Sequence, residues 1–360
     1  MIEKVSTRCT IFEFEGNKKM EKSFRVFFIY GWILAMIAFP ACAQKKGNEI
    51  TLGAYTAPRE AYQAIIPFFQ KYWQGKTGKP IEVKQSYLGS GAQARAIVGG
   101  FEADLAALSL ESDIEVIQKA GLIKNDWRKN NSLGMVTRSI VILAVRAGNP
   151  KNIHDWQDLA KPGIEILTPN PKSSGGAMWN ILALYGAAQR GKVPGYEASS
   201  QGARNLLKDV FKNVTVLDKG ARESIINFEK GIGDVVITYE SEVLVGKKSG
   251  QNYEAVTPSS TILIETPLAV VDGYAGPHGA LAPAQGFRDF LWSREAQKIF
   301  ADFGLRPVNP EVAAEVSSQF PAPADLWTVG NLGGWGQVIP GIFGPGGIFT
   351  AVMEEIEKEK

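Results

Sequence analysis

The sequence predicts an α/β protein of two lobes, each built on a largely parallel sheet. Three observations carry this. From Glu49 onward, short apolar segments alternate with helix-length amphipathic ones, the pattern of strands joined by crossover helices. The chain has 360 residues, ample for two cores. Two long apolar segments, Ser139–Arg146 and Ile262–Val271, stand far apart in the chain, as strands crossing between lobes would.

The elements follow in order. Ile50–Tyr55 reads as a short strand. Arg59–Trp73 reads as a helix, with Tyr62, Ile65, Ile66, Phe69 and Trp73 forming a core-facing stripe. Ile81–Ser86 is a second strand. Ser90 opens a helix, and its spacing to Gln93 fits a capping box. Ala103–Leu110 reads as a buried strand, and Ser112 with Glu115 as a second capping box. Ser139–Arg146 ends at Gly148-Asn149-Pro150. Ile164–Thr168, Val214–Asp218 and Asp234–Tyr239 are short strands, each followed by a helical stretch. After Ile262–Val271, residues Phe287–Phe303 give two helical pieces divided near Ser293 and closed by Gly304 and Pro307. A glycine-rich tail from Gly333 leads to a charged helix over Val352–Lys360. No internal repeat is visible.

Residues 1–43 read as a secretory signal peptide. Lys22 and Arg25 give a basic start, and Val26–Phe39 is uncharged and short for a membrane span. Ala41-Cys42-Ala43 then offers a cleavage site before Gln44-Lys45-Lys46. Met20 is the more natural start, because Glu3, Glu13 and Glu15 precede it. A membrane anchor and lipid attachment at Cys42 are the competing readings. Export places the remainder in the periplasm.

Charge and composition exclude several chemistries. Lys+Arg total 39 and Asp+Glu 37, and 33 of each lie beyond residue 43, so no basic surface for nucleic acid is expected. The only cysteines, Cys9 and Cys42, fall in the leader, and His154 and His278 stand alone. No metal site and no cofactor are expected.

Three places share one pattern: a strand ends, then glycine and small polar residues open a helix. They are Leu88-Gly89-Ser90-Gly91-Ala92-Gln93, Lys172-Ser173-Ser174-Gly175-Gly176-Ala177 and Lys219-Gly220-Ala221-Arg222-Glu223-Ser224. A helix N-terminus leaves backbone N–H groups unpaired and carries partial positive charge, so it binds anions without a Lys or Arg in contact. Each motif alone also fits an ordinary cap or turn. A site made only of donors favours an ion that only accepts, as sulfate does. Hydrogen phosphate brings a proton that needs an acceptor, and an unpaired one costs a few kcal/mol. No phosphate-cradling G-x-x-x-x-G-K-[ST] loop and no G-x-S-x-G elbow is present. A hydrolase of sulfate or phosphate esters using Ser174 or Tyr239 is the alternative from another class. It has no visible general base or metal cluster.

At these motifs the chain resembles the sulfate- and thiosulfate-binding proteins of bacterial ABC transporters. The likeness runs from Tyr55 to about Phe349. It is densest over Lys161-Pro162-Gly163 and Thr168-Pro169-Asn170-Pro171-Lys172-Ser173-Ser174-Gly175-Gly176-Ala177-Met178-Trp179-Asn180. It includes Gly148-Asn149-Pro150-Lys151, Ile153-His154-Asp155-Trp156, Leu217-Asp218, Gly220-Ala221-Arg222, Gly231-Ile232-Gly233-Asp234-Val235 and Gly333-Gly334-Trp335. The resemblance implies a two-lobed, type II periplasmic-binding fold with the anion in the cleft. Lobe 1 would comprise 44–140 and 262–360, and lobe 2 would comprise 141–261. It implies a hydroxyl donor at Ser90, a nest of Ser174, Gly175 and Gly176, and the Ala221 N–H, with Arg222 supporting its loop. Two positions depart from the family. Thr56 stands where an Asp is usual and would donate through its backbone. Tyr239 replaces a Trp, and a phenol both donates and accepts. The resemblance further implies a monomer that binds sulfate or thiosulfate and delivers it to a membrane permease, without catalysis. Molybdate, phosphate or phosphonate on the same scaffold remain alternatives.

Overall fold

The computed structural model describes residues 47–359; the leader expected over 1–43, with Cys9 and Cys42, lies outside the described residues. The first strand, β1 (Glu49–Tyr55), is buried along nearly its whole length, as a strand covered on both faces must be. Helix α1 (Arg59–Thr77) lays Ala61, Tyr62, Ile65, Ile66 and Phe69 on the sheet and stops at Gly78, whose φ of 71° is the left-handed cap that glycine adopts freely. Strand β2 (Glu82–Leu88), helix α2 (Ser90–Val98), the short β3 (Leu105–Ala107) and helix α3 (Glu111–Lys119) complete the first unit.

Strand β4 (Met135–Arg146) begins before the apolar run that announces it. Then come β5 (Ile166–Pro169), α4 (Gly175–Gln189), α5 (Ser200–Lys212), β6 (Val214–Asp218), α6 (Ala221–Glu229), β7 (Val235–Tyr239), α7 (Glu240–Lys248) and β8 (Tyr253–Val256). The long β9 (Ser260–Val270) returns to the first unit, followed by α8 (Leu281–Leu291), α9 (Arg294–Asp302), β10 (Arg306–Pro307), β11 (Asp325–Trp327) and α10 (Ile348–Glu359).

The strands run in the order β2-β1-β3-β9-β4-β7-β5-β6. β1 pairs parallel with β2 and β3, and β5 pairs parallel with β6 and β7. Between these parallel groups stand β9 and β4, antiparallel to each other and to the outer neighbours. β4 pairs with β9 through Met135–Ile140 and with β7 through Val141–Val145, so one strand serves both halves. Each half carries an apolar core on both faces, one pair around Ile50, Phe69 and Phe287 and around Ile97, Ile114 and Trp127, the other around Trp179, Leu182 and Leu207 and around Ile142, Phe228 and Val236. This is the two-lobed α/β architecture.

Some local expectations change. The expected strand over 103–110 is only the three residues of β3, because Ser109 gives its N–H to the Ser90 hydroxyl and not to a neighbouring strand. Neither capping box forms. Ser90 is the first helical residue of α2 behind Gly89, and Ser112 lies inside α3 behind Leu110. The tail expected with the first lobe packs instead on the second-half core. Trp335, Val338, Phe349, Val352 and Ile356 join the cluster of Trp179, Leu207 and Phe211, because this is the apolar surface that α4 and α5 leave open.

Candidate anion-binding site

Every residue of the predicted site follows a strand whose C-terminal end opens toward the line where the halves meet, the place where α/β sheets bind ligands. Thr56 follows β1, Ser90 follows β2, Ser174 follows β5, Ala221 follows β6, and Tyr239 ends β7. All five are buried, between 2% and 7% exposed.

The three helix-opening loops meet. A Cβ on Gly89 would collide with the Ser173 carbonyl oxygen and lie 3.3 Å from that of Lys219. The Ser173 hydroxyl donates to the Lys219 carbonyl at 2.9 Å, and Arg95 of α2 donates to the Lys172 carbonyl at 3.1 Å. Thr56 joins through Gly220, where an added Cβ would lie 3.7 Å from Thr56 Oγ1. Tyr239 joins through Gly176, where a Cβ would sit 2.8 Å from the ring and 3.3 Å from Ser174 Oγ. A Cβ on Gly175 would lie 2.9 Å from Ser109 and Leu110. The two glycines are therefore required by packing, since only a bare backbone fits between the α4 start and its neighbours.

The loop before α4 is built by Asn170. Its side chain accepts from Lys172 N, and its carbonyl accepts from Ser173 N and Ser174 N, at 2.9, 3.1 and 2.9 Å. That turn aims the α4 N-terminus into the cleft. Ser174 occupies the N-cap position, yet its hydroxyl makes no cap hydrogen bond and has no other partner among the described residues. The first N–H groups of α4 and α6 have no intrahelical acceptor.

The guanidinium beside the α6 start is already balanced. Arg222 grips Glu60 with two bonds of 3.0 and 2.8 Å, and its Nε lies 2.8 Å from Glu242. Burial, opposed by Arg222, pushes Glu242 up to about 7. Burial also holds the Tyr239 phenol well above its ordinary value, so it stays protonated. Its oxygen lies 2.7 Å from Ser109 Oγ. His154 bonds to Asn152, and His278 bonds to Asp104 and Glu102. Among the described residues, no cluster of His, Cys, Asp and Glu could hold a metal ion.

The structure brings all seven predicted residues together and adds two. Ser109 receives the Trp179 indole N–H at 3.0 Å and gives its own N–H to Ser90 Oγ at 2.9 Å. Asp113 of α3 accepts the Ser90 hydroxyl proton at 2.5 Å. Ser90 thus points its hydroxyl at a carboxylate, not at the cleft. The signal for Ser109 is a polar residue inside the apolar run, one position before its end at Leu110. Asp113 had none, since it reads as one more acid on a solvated helix.

Comparison with known proteins identifies the family. A family model described as bacterial extracellular solute-binding protein matches residues 50–306. The sulfate-binding protein of Synechococcus elongatus is 44% identical over 312 residues, covering 86% of this chain and 87% of the relative. The thiosulfate-binding protein of Escherichia coli is 35% identical over 310 residues, covering 84% and 90%. The solved structure of the sulfate-binding protein SubI from Mycobacterium tuberculosis superposes with a TM-score of 0.76 at 41% identity, covering 82% of this chain and 99% of that one. The chain belongs to the bacterial extracellular solute-binding protein family.

Proposed function

We propose that the protein captures sulfate, or thiosulfate, in the cleft and delivers it to the membrane permease of an ABC importer. The carrying observation is the meeting of three helix N-termini in a buried cleft, beside a Ser174 hydroxyl that has nothing to cap. Each helix end presents about +0.5 of a charge. Together about +1.5 faces the cleft, close to the charge of a dianion. The donors would be the hydroxyls of Ser174 and Tyr239 and the backbone N–H groups of Thr56, Gly175, Gly176 and Ala221. Arg222 holds the α6 loop through Glu60 and Glu242, so its charge is already balanced. The names of the relatives support the same ligand class. The site performs no chemistry on the ion, and the protein acts outside the cytoplasm as a monomer.

Isothermal titration with sulfate, thiosulfate, phosphate and molybdate tests the reading. Saturable heat with sulfate or thiosulfate, at tighter affinity than with the other two, is the expected outcome. Absence of heat with both would overturn it.

A further inference from the structure

A short chain of donors runs from the core to the cleft. The indole N–H of Trp179 on α4 donates to Ser109 Oγ at 3.0 Å, and that oxygen lies 2.7 Å from the Tyr239 phenol oxygen. All three residues are buried, between 0% and 2% exposed. An indole can only donate, whereas each hydroxyl has one proton to give and lone pairs that accept. The two hydroxyls share one contact, so one of their two protons is left over.

The direction of the chain decides what the cleft meets. If Tyr239 donates to Ser109, the phenol turns only lone pairs toward the cleft, and the spare proton stays on Ser109. If Ser109 donates to Tyr239, the spare proton is the phenol's. The phenol is the end beside the nest. A Cβ on Gly176 would lie 3.2 Å from Tyr239 Oη and 3.3 Å from Ser174 Oγ, whereas Ser109 is fully enclosed and packs against Gly175.

We infer that Ser109 is a positioning residue of the anion site: it receives the Trp179 N–H and aims the Tyr239 phenol proton at the ion. This rests on the oxyanion-binding reading above. An anion only accepts, so its arrival selects the direction Trp179 to Ser109 to Tyr239 to ion. Each donated bond polarises the next and strengthens the last. Only hydroxyl orientations change. No proton is gained or lost, because burial keeps the phenol protonated.

The chain also spans the two halves. Ser109 follows β3, while Trp179 on α4 and Tyr239 on β7 belong to the other half. On its own side Ser109 is anchored by its N–H, given to Ser90 Oγ at 2.9 Å. The hydroxyl that aims the phenol therefore reaches it only when the halves meet. A phenol O–H rotates freely about its C–O bond, so it needs such a partner to become a fixed donor. Closure supplies that partner.

The test is a double-mutant cycle on sulfate affinity, read by isothermal titration. Tyr239→Phe removes the donor itself and should weaken binding by about 10- to 100-fold. Ser109→Ala removes only the aiming hydroxyl and should weaken it by about 3- to 10-fold. That variant leaves no buried donor unpaired, because the Trp179 indole also bonds the Ser109 carbonyl at 3.1 Å. Added to Tyr239→Phe, Ser109→Ala should cost less than about twofold, since no phenol remains to be aimed. The same loss in both backgrounds would overturn the inference, because Ser109 would then act independently of the phenol. So would unchanged affinity in Ser109→Ala alone. Infrared difference spectra give a second reading on the unaltered protein. Adding sulfate should move a tyrosine C–O band to that of a phenol that both accepts and donates. The moved band should vanish in Tyr239→Phe and sit elsewhere in Ser109→Ala. A band unaffected by Ser109→Ala would overturn the inference and leave sulfate binding intact. No heat with sulfate or thiosulfate from the unaltered protein would instead overturn the binding reading, and the chain's role with it.

Discussion

Ser174 separates binding from stability at a single atom. It sits where a serine normally caps a helix, and losing such a cap costs about 1 kcal/mol. Here the hydroxyl caps nothing, and the turn is held by Asn170. Ser174→Ala should therefore leave the melting temperature of the free protein unchanged. It should weaken sulfate binding by about 10- to 100-fold, the range for a hydrogen bond to a charged group. Parallel titration and thermal melts check both halves. A drop in melting temperature with unchanged affinity would return Ser174 to an ordinary capping role. Tyr239 is less free, because its phenol proton is shared with Ser109 at 2.7 Å. A phenol in that position offers a donor only when Ser109 turns its own hydroxyl proton toward Tyr239.

At the level of elements, what the sequence discloses follows from period and punctuation. The α1 stripe is legible because Tyr62, Ile65, Ile66 and Phe69 repeat at helical spacing. The break at Ser293 is legible because a serine opens α9, accepting from Ala296 N at 3.2 Å. The helix-opening glycines are legible because bare backbone between a strand and a helix has few other uses. The capping boxes at Ser90 and Ser112 were not, because tertiary partners and a shifted start displaced them. Asp113 captured the Ser90 hydroxyl from 23 residues away. The placement of the tail was also hidden, since its apolar residues name no partner. In the structure α10 lies on α5, with Phe349 edge-on to Phe211 at 4.8 Å between ring centres. Glu355 and Glu359 reach Lys208, and Glu359 also reaches Lys212. These ion pairs lie at the surface, half-buried to exposed, and contribute little, so burial of Phe349, Val352 and Ile356 holds the helix. Phe349→Ala should cost about 3 kcal/mol, measured by denaturant unfolding. Glu359→Gln should cost less than about 0.5 kcal/mol in the same assay.

On the proposed reading the whole molecule closes over its ligand, and Arg222 is among the residues that join the two halves. Arg222 on α6 holds Glu60 on α1 with two parallel bonds and lies against Glu242 on α7. α1 belongs to the β1 half, and α6 and α7 belong to the β7 half. The Glu60 bonds thus exist only while the halves are together, whereas Glu242 moves with Arg222. A contact of this kind acts on escape and not on encounter, because it forms after the ion has entered. Glu60→Gln keeps the shape, keeps one acceptor for Arg222, and leaves Glu242 to balance the guanidinium. In stopped-flow measurements the sulfate release rate should rise several-fold, while the association rate changes by less than about twofold, the division expected where affinity changes reside in release. A fall in association with release unchanged would mean that Glu60 steers the ion and does not hold the cleft shut.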